Sequence, residues 1–450
     1  MRKYKKKLLL ENLEEIYELH KEFEKSLPAG KRDDLLRQLA QCQELAIRTG
    51  NELDGLEGKE HMPASRIVKI LEAYCEALYQ ASLNMQETTD LQSRGRQRSS
   101  LDFFIREAEE RIRKDIPERV EAVFLPYKAS MWDSLESVWM SADQDGECDS
   151  YVIPVPYFDR NADGSLGEMH YEGGDFPEYV PVTDWQEYDI AARHPDMIFI
   201  HNPYDGTNRV TTVHPSFYAK ELKNYTDMLV YIPYFVCMDS DVPAHFCVMP
   251  GTIHADRVVV QSEKARQIYI KEFRKFEREY NCRGKFGDPE KKFLALGSPK
   301  FDKVLSTTRE NVEIPEEWKR KIVREDGSER KVLLYNTSVS KLLEGKEKTL
   351  EKIRSVLALM KELEEIVLLW RPHPLSGSTY AAERPQLLEE YEGLVEAYKM
   401  EDWGIFDDSP DVDRAIAISD AYYGDKSSLV ELCRVTGKPV MIQDVEIASD

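Results

Sequence analysis

The most constraining feature of this 450-residue chain is an alternation of short apolar runs with helical patterns that begins at Ile116-Pro117. The apolar runs are of strand length, and the amphipathic patterns between them predict crossover helices. This alternation is typical of a parallel sheet with helices on both faces. The first series of predicted strands comprises Val120–Leu125, Tyr151–Val155, Asp196–Ile200, Leu229–Val236 and Arg257–Val260.

A second series of strands follows the charged helical pattern at 263–280. The stretch at 281–289 is rich in Gly, Pro and charge and predicts a linker, so we expect domains at 1–116, 117–283 and 284–450. Two such domains joined once leave a cleft, and ligands bind beyond the carboxyl ends of parallel strands. The second series comprises Lys292–Leu296, Lys331–Tyr335, Ile366–Trp370, Ala421–Tyr423 and Lys438–Ile442.

Residues 1–116 have helical periodicity instead, with breaks predicted at 28–30, 50–58 and 92–100. The pattern indicates a helical hairpin or small bundle that serves as a scaffold, and self-association through this extension is an expectation. The basic start (RKYKKKLLL) is too short in apolar residues for a signal peptide. We interpret this basic segment as the solvated start of a helix, and peripheral contact with the inner face of a membrane is the open alternative.

Charge and cysteine content limit the classes of partner. The formal net charge of −22 opposes binding to nucleic acid and to anionic membranes. A nucleotide anion can still bind, because helix N-termini and single cations act at short range. The seven cysteines contain no CxxC pair, which argues against a disulfide scaffold or a structural zinc site. We therefore expect a cytoplasmic protein that does not bind nucleic acid.

The strongest candidate for a phosphate site is the segment 419–429 (SDAYYGDKSSL). A predicted strand ends in Gly424-Asp425, and a helix opens with Lys426-Ser427-Ser428. Free backbone N–H groups, two hydroxyls and one lysine at a helix start could hold a phosphate. The alternative is an ordinary helix cap made by Asp425 or Ser427.

Three further strand ends of the second domain carry suitable groups. In 370–375 (WRPHPL), two prolines fix the backbone around Arg371 and His373, which suit a diphosphate. A surface loop with incidental charge is the alternative. The segments 335–338 and 296–302 either approach a ligand closely or are turns; their candidate residues are Asn336, Ser338, Gly297 and Ser298.

The sharpest feature of the first domain is 199–205 (FIHNPYD), where polar groups crowd one strand end. His201 could act as a general base and Asp205 could orient it. A satisfied structural histidine is the alternative of equal weight.

Two metal patterns are incomplete. The stretch 159–164 matches the first half of an EF-hand loop, but the twelfth position is His170 instead of glutamate. The pair Asp239 and Asp241 resembles the Asp-x-Asp metal clamp of another transferase fold, but two acids in one loop occur easily by chance in an acidic chain. We expect no metal and no cofactor. The sequence also contains no Walker A, GxGxxG or GxSxG motif, which disfavours kinases, dinucleotide oxidoreductases and serine hydrolases.

Residues from about 229 to 450 resemble the CDP-glycerol glycerophosphotransferase family, which primes and polymerises teichoic acids. Three segments carry the resemblance, in the family's order and spacing: Gly297-Ser298-Pro299-Lys300-Phe301-Asp302, Arg371-Pro372-His373-Pro374, and Ser419-Asp420 through Asp425-Lys426-Ser427-Ser428. The resemblance implies a fold of two Rossmann-like parallel-sheet domains (GT-B type) with an α-helical N-terminal extension. It also implies that His373, Ser427 and Ser428 bind the diphosphate of a nucleotide-linked donor such as CDP-glycerol.

One family motif is absent. The family carries Trp-His-Gly-Thr after a first-domain strand, whereas the equivalent strand continues as Cys237-Met238-Asp239. The last predicted strand also lies close to Asp450, where a GT-B chain usually continues into helices, so a shortened chain is an expectation. We expect a transferase that moves a glycerophosphate or sugar unit to an envelope glycan or polyol-phosphate acceptor. A non-catalytic binding or assembly protein and a nucleotide-sugar epimerase are the alternatives.

Overall fold

The computed structural model describes residues 1–26, 32–56, 61–87, 91–161, 163–239, 241–345, 347–409 and 411–443. Within them, two parallel sheets and a helical extension confirm the predicted fold class. The domain boundaries remain a prediction. No helix in these ranges is long and apolar enough to cross a membrane.

The extension is a bundle of four long helices: α1 (Lys3–Ser26), α2 (Arg32–Asp54), α3 (His61–Glu87) and α4 (Leu91–Asp115). Its own apolar core includes the fully buried Ile16, Ile67 and Ile105. The break predicted at 92–100 is wrong, because α4 runs through it. The break predicted at 28–30 lies outside the described residues.

Lys6 in α1 links two helices of the bundle, and Arg2, just before α1, links the bundle to the first sheet. The Nζ of Lys6 donates to the carbonyls of Arg113 (3.1 Å) and Ile116 (2.7 Å), at the end of α4. The guanidinium of Arg2 lies 3.0 Å from the carboxylate of Glu121, which is fully buried in the first strand of the sheet. The bundle is therefore packed on the first sheet through buried polar contacts.

The first sheet has six strands in the order β2-β1-β5-β7-β8-β9, all parallel. A separate antiparallel sheet, β4-β3-β6, inserts before and after β5 and was not predicted. The strands are β1 (Val120–Leu125), β2 (Cys148–Val152), β3 (Tyr157–Arg160), β4 (Leu166–His170), β5 (Met197–Ile200), β6 (Thr211–Val213), β7 (Met228–Tyr231), β8 (Arg257–Val260) and β9 (Phe293–Ala295).

The helices of this part flank the sheet and connect its strands. They are α5 (Glu136–Gln144), α6 (Ile190–Arg193), α7 (Ala219–Leu222), α8 (Pro250–His254), α9 (Glu263–Glu279) and α10 (Pro289–Lys292). Lys292 is 1% exposed and donates to the carbonyls of Thr252 (3.0 Å) and Ile253 (2.9 Å), at the end of α8. Its ammonium thus satisfies backbone acceptors that the helix leaves without partners.

The strand predicted to open the second sheet belongs to the first. Residues 293–295 form β9, which pairs with β8. Phe293 is fully buried and packs on the aromatic rings of Tyr269 and Phe273 in α9. The short apolar pattern gave no indication of which sheet it would join, and this assignment was wrong.

The second sheet has five parallel strands in the order β12-β11-β10-β13-β14. Its strands are β10 (Lys331–Thr337), β11 (Ile366–Pro372), β12 (Ile405–Phe406), β13 (Ala421–Gly424) and β14 (Val440–Ile442). Its helices are α11 (Pro299–Ser306), α12 (Glu316–Ile322), α13 (Val339–Gly345), α14 (Glu347–Lys361), α15 (Ser376–Glu383), α16 (Pro385–Glu401), α17 (Val412–Ile418) and α18 (Ser428–Val435).

Candidate functional site

The order of the second sheet creates a crevice at the carboxyl end of β10. The chain leaves β10 to build β11 and β12 on one side, and then returns to place β13 on the other side. The loops that follow β10 and β13 therefore diverge, which is where ligands bind in open parallel sheets. The candidate segments 335–338, 370–375 and 424–428 all lie at this edge.

Asn336 links the ends of three strands. Its side chain is 5% exposed. The amide nitrogen donates to the carbonyl of Arg371 (3.0 Å), and the amide oxygen accepts from the hydroxyls of Ser427 (3.0 Å) and Tyr422 (3.3 Å). One buried amide thus fixes the relative positions of the loops after β10, β11 and β13. The sequence analysis singled out Asn336 and Ser427 but missed Tyr422.

Gly424 allows the loops after β10 and β13 to approach each other closely. Its φ is +144°, and a Cβ atom placed there would lie 2.2 Å from the carbonyl oxygen of Asn336. The next residue, Asp425, donates its N–H to that same oxygen (3.0 Å). Any side chain larger than hydrogen at position 424 would separate the two loops.

Asp425 and Ser338 support the loops from inside. The Asp425 carboxylate is fully buried and accepts from the backbone N–H (2.7 Å) and the hydroxyl (3.2 Å) of Ser338. It also forms a buried ion pair with Lys352 of α14. Both residues were predicted to bind the donor directly, and this geometry turns them inward instead. Lys352 was missed, because a lysine in an amphipathic helix gives no sequence signal of burial.

Arg371 and His373 have different surroundings. Arg371 is 7% exposed, pairs with the carboxylate of Asp407 and donates to the carbonyl of Ser409 (2.8 Å). The prediction that its guanidinium meets a diphosphate therefore disagrees with the structure. His373 is exposed, and its Nδ1 accepts from the N–H of Leu375 (3.1 Å), so its ring remains accessible to a ligand.

The start of α18 presents the most open polar surface of this edge. Ser427 stands at the cap position, but its side chain makes no capping bond, and its hydroxyl donates to Asn336. Ser428 and Lys426 are exposed, and the Lys426 Nζ lies 2.7 Å from the carboxylate of Asp241, in the part of the chain that carries the first sheet. Backbone N–H groups at an uncapped helix start favour an anion.

Gly297 and Ser298 lie where the chain leaves the first sheet. Gly297 has a φ of +96°, and the Ser298 hydroxyl is buried with no protein partner. Both line a cavity of about 20 Å³ together with Phe235, Cys237 and Val242. This volume is far below that of a nucleotide, so the prediction of direct donor contact is not supported in this conformation.

His201 is fully buried, and both of its ring nitrogens have partners. Its Nε2 accepts from the N–H of Tyr127 (3.1 Å), and its Nδ1 lies 2.9 Å from the hydroxyl of Ser134. That hydroxyl donates to the carbonyl of Met131 (2.7 Å), so Nδ1 carries the proton. Burial lowers the pKa of His201 to about 3. The structural alternative fits this geometry, and the role of general base does not.

Asp205 does not orient His201. Its carboxylate is 6% exposed and accepts from the N–H of Ala219 (3.0 and 3.1 Å), at the start of α7. Burial raises the pKa of Asp205 to about 7. Asp205 is therefore a helix cap in a loop that folds back on β6, and the prediction of a catalytic pair is wrong in this conformation.

One group of side chains among the described residues has the spacing of a metal site. The ligand atoms of Asp159, Glu168 and His170 lie within 4.8 Å of one another on the antiparallel sheet. The Nε2 of His170 lies 2.9 Å from the Asp159 carboxylate, so a hydrogen bond already accounts for two of the three. Asp239 has protein partners instead, Gln261 (3.1 Å) and Ser262 (2.6 Å).

Known proteins similar to this chain are found by structure alone. No family model and no curated protein matches the sequence. Similar solved structures include the Staphylococcus aureus MnaA–UDP complex, with 13% identity, a TM-score of 0.42 and coverage of 72% of this chain and 78% of that chain.

They also include the Methanocaldococcus jannaschii UDP-GlcNAc 2-epimerase with UDP-GlcNAc and UDP (10%, 0.41, 71% and 83%). The wall teichoic acid polymerase TagF is another (14%, 0.39, 73% and 71%) and represents the family named from the sequence. With identities this low and TM-scores below 0.5, any activity has to be argued from the residues of this chain.

Proposed function

We propose that this protein binds a nucleoside-diphosphate-linked donor at the carboxyl edge of its second sheet. On this proposal it transfers the donor's glycerophosphate or sugar group to a hydroxyl of a cell-envelope acceptor. The observation that carries the proposal is the convergence of three strand-end loops on Asn336 beside the open start of α18. His373, Lys426 and Ser428 are exposed at the same edge.

The charges of this edge divide into supporting and exchangeable pairs. Lys352 and Arg371 are buried with their carboxylate partners, so they hold the loops and are costly to displace. The pair of Lys426 with Asp241 is exposed, with 42% and 65% of the two side chains accessible. Such pairs contribute only about 0–1 kcal/mol, so a diphosphate can take the place of Asp241 at low cost.

In the transfer step, one bond forms and one bond breaks. For CDP-glycerol, the acceptor oxygen bonds to the distal phosphorus, the bond to the bridging oxygen breaks, and CMP leaves. For a nucleotide sugar, the acceptor oxygen bonds to the anomeric carbon and the nucleoside diphosphate leaves. The hydroxyl proton passes to solvent or to the leaving phosphate, because His201 is unavailable. Positioning and charge stabilisation account for most catalysis of phosphoryl-type transfer.

Calorimetric titration with CDP, CDP-glycerol, UDP and a UDP-sugar tests the donor site. The wild type is expected to bind selectively, and Ser427→Ala/His373→Ala is expected to weaken binding at least about tenfold. The matched control is Ser355→Ala/His61→Ala, which changes the same residue types at exposed positions of α14 and α3. Absence of binding by the wild type, or equal binding by both variants, would refute the proposal.

The burial of His201 specifically favours a second candidate, nucleotide binding without turnover. Product analysis separates the two. A transferase consumes the donor only when acceptor is present, and a binding protein leaves it intact. An epimerase would convert a nucleotide sugar with no acceptor.

A further inference from the structure

A continuous row of aromatic rings follows the carboxyl ends of β5 and β7. Adjacent ring centroids lie 6.5 Å apart for Tyr204 and Tyr234, 5.2 Å for Tyr234 and Phe235, and 4.2 Å for Phe235 and Phe246. His245 continues the row at 4.2 Å from Phe246. We call these five side chains the aromatic row. Strand-end loops of the first sheet and the 3-10 segment Ala244–Val248 supply them.

The row is partly exposed to solvent, unlike the rings beneath it. Tyr231 and Tyr269 of the first sheet's core are 0% and 3% exposed. Tyr204, Tyr234 and Phe246 are each partly exposed. An accessible strip of aromatic surface at the ligand-binding edge of a parallel sheet is the usual lining of a recognition site.

The row lies beside the proposed donor loops. Asp241, which stands between Phe235 and Phe246 in the chain, reaches Lys426 at the start of α18 (2.7 Å). Phe235 also shares the small cavity with Ser298. A group transferred from a donor at the second sheet would therefore meet its acceptor next to these rings.

The chemistry of the row selects the class of acceptor. Aromatic faces carry partial negative charge and attract polarised C–H bonds, such as those on one face of a sugar ring. The hydroxyls of Tyr204 and Tyr234 lie 3.3 Å apart and can exchange hydrogen bonds with sugar hydroxyls. Burial holds the pKa of Tyr234 above its ordinary value, so its hydroxyl stays neutral. The carboxylate of Asp239, held in the same segment by Gln261 and Ser262, disfavours a phosphate.

We propose that the aromatic row is an acceptor subsite that stacks on a neutral saccharide ring. This inference rests on the proposed function and deepens it, because it selects a glycan acceptor over a polyol phosphate. The partly exposed rings of Tyr234 and Phe246 contact the sugar, and the tyrosine hydroxyls orient it.

Saturation-transfer difference NMR tests the subsite, because it detects weak ligands through protons close to protein rings. The probes are methyl β-glucoside, methyl β-N-acetylglucosaminide and glycerol 3-phosphate, each added to the wild-type chain. We expect transfer to the ring C–H protons of at least one glycoside and much less to glycerol 3-phosphate. Absence of transfer to both glycosides, or stronger transfer to glycerol 3-phosphate, would overturn the inference.

Variants locate the signal. Tyr234→Leu and Phe246→Leu are expected to weaken glycoside binding about tenfold, and Tyr234→Phe, which keeps the ring, to retain more than Tyr234→Leu. Tyr280→Leu removes an exposed ring elsewhere (66% exposed) and serves as the control. Undiminished transfer in both leucine variants would also overturn the inference. If one leucine variant fails to fold, the other carries the test.

Titration of the wild type with CDP and UDP keeps the two proposals distinguishable. Nucleotide binding without saturation transfer to a glycoside would reject only the acceptor subsite. Saturation transfer to a glycoside without nucleotide binding would reject the proposed donor site and leave a saccharide-binding surface.

Discussion

At the scale of single residues, His201 shows how a histidine at a strand end can be structural. The imidazole fills the space between the loops after β1 and β5, accepts one backbone N–H and donates to one serine hydroxyl. A crowded polar loop in the sequence is equally consistent with this arrangement and with a catalytic base. The distinction depends on burial, which comes from elements far apart in the chain.

We predict that His201→Gln reduces the acid sensitivity of folding. The folded-state pKa of about 3 lies below the ordinary value of 6.5, so the stability from neutral His201 is fully present above pH 6.5 and is lost as the pH falls. By pH 5 the loss is about 2 kcal/mol. Urea denaturation at pH 7 and pH 5 should show a smaller difference for the glutamine variant than for the wild type.

The titration of Asp205 does not affect that comparison. Its raised folded-state pKa of about 7 gives stability that is present below about pH 4 and is lost as the pH rises towards 7. This contribution has the opposite sign and is common to both proteins, so it cancels in the comparison. An unchanged pH dependence in His201→Gln would mean that His201 titrates normally in the folded state.

At the scale of elements, the end of β13 depends on a residue without a side chain. Gly424→Ala would place a methyl group 2.2 Å from the Asn336 carbonyl at a φ of +144°. We expect a loss of about 3 kcal/mol or more in the free energy of unfolding, together with loss of nucleotide binding. Denaturant titration and calorimetry measure the two effects.

Gly393→Ala is the matched control for that prediction. Gly393 lies inside α16, and an added Cβ would meet nothing within 4 Å. This variant should gain about 0.5–1 kcal/mol, because alanine loses less backbone entropy in a helix. If Gly424→Ala kept wild-type stability, the close approach of the two loops would not exist in solution.

Much of the element pattern was predictable from the sequence, because it is local. Strands β1 and β8 have the predicted bounds, and β10 and β11 were predicted to within two residues. Pairing was less predictable: β9 joined the first sheet, and the antiparallel sheet was missed because its short, polar strands give no clear alternation.

The candidate site was predictable as a set of loops and less so as individual contacts. Parallel topology brings Asn336, Arg371 and Ser427 to one edge whatever their partners are. Which groups turn inward is decided by tertiary partners such as Lys352 and Asp407, and the sequence carries no local signal for these.

At the scale of the whole molecule, ion pairs join the two sheet-bearing parts at two places. Helix α11 contacts the first part through the pairs Lys300–Asp133 and Lys303–Glu136. At the start of α18, Lys426 pairs with Asp241. A ligand that binds Lys426 would therefore also change a contact between the two parts.

We predict that Asp241→Asn increases nucleotide affinity about two- to fivefold. The carboxylate competes with a diphosphate for Lys426, and exposed pairs of this kind contribute roughly 0.2–1 kcal/mol. Calorimetry at low salt measures the change. Glu362→Gln removes one negative charge from an exposed turn before β11, at the end of that strand opposite the site, and should leave the affinity unchanged. Lower affinity in Asp241→Asn would mean that Asp241 helps to hold the nucleotide.

Among the residues that the structure describes, three lysines are buried, one in each part of the chain: Lys6 in the bundle, Lys292 beside the first sheet and Lys352 behind the second. An amine-acylating reagent reaches an ammonium group only when its surroundings open. Peptide mass spectrometry after brief labelling would therefore report the opening of each part separately. The three lysines are intrinsic reporters, with which the order of unfolding can be followed in the wild-type sequence.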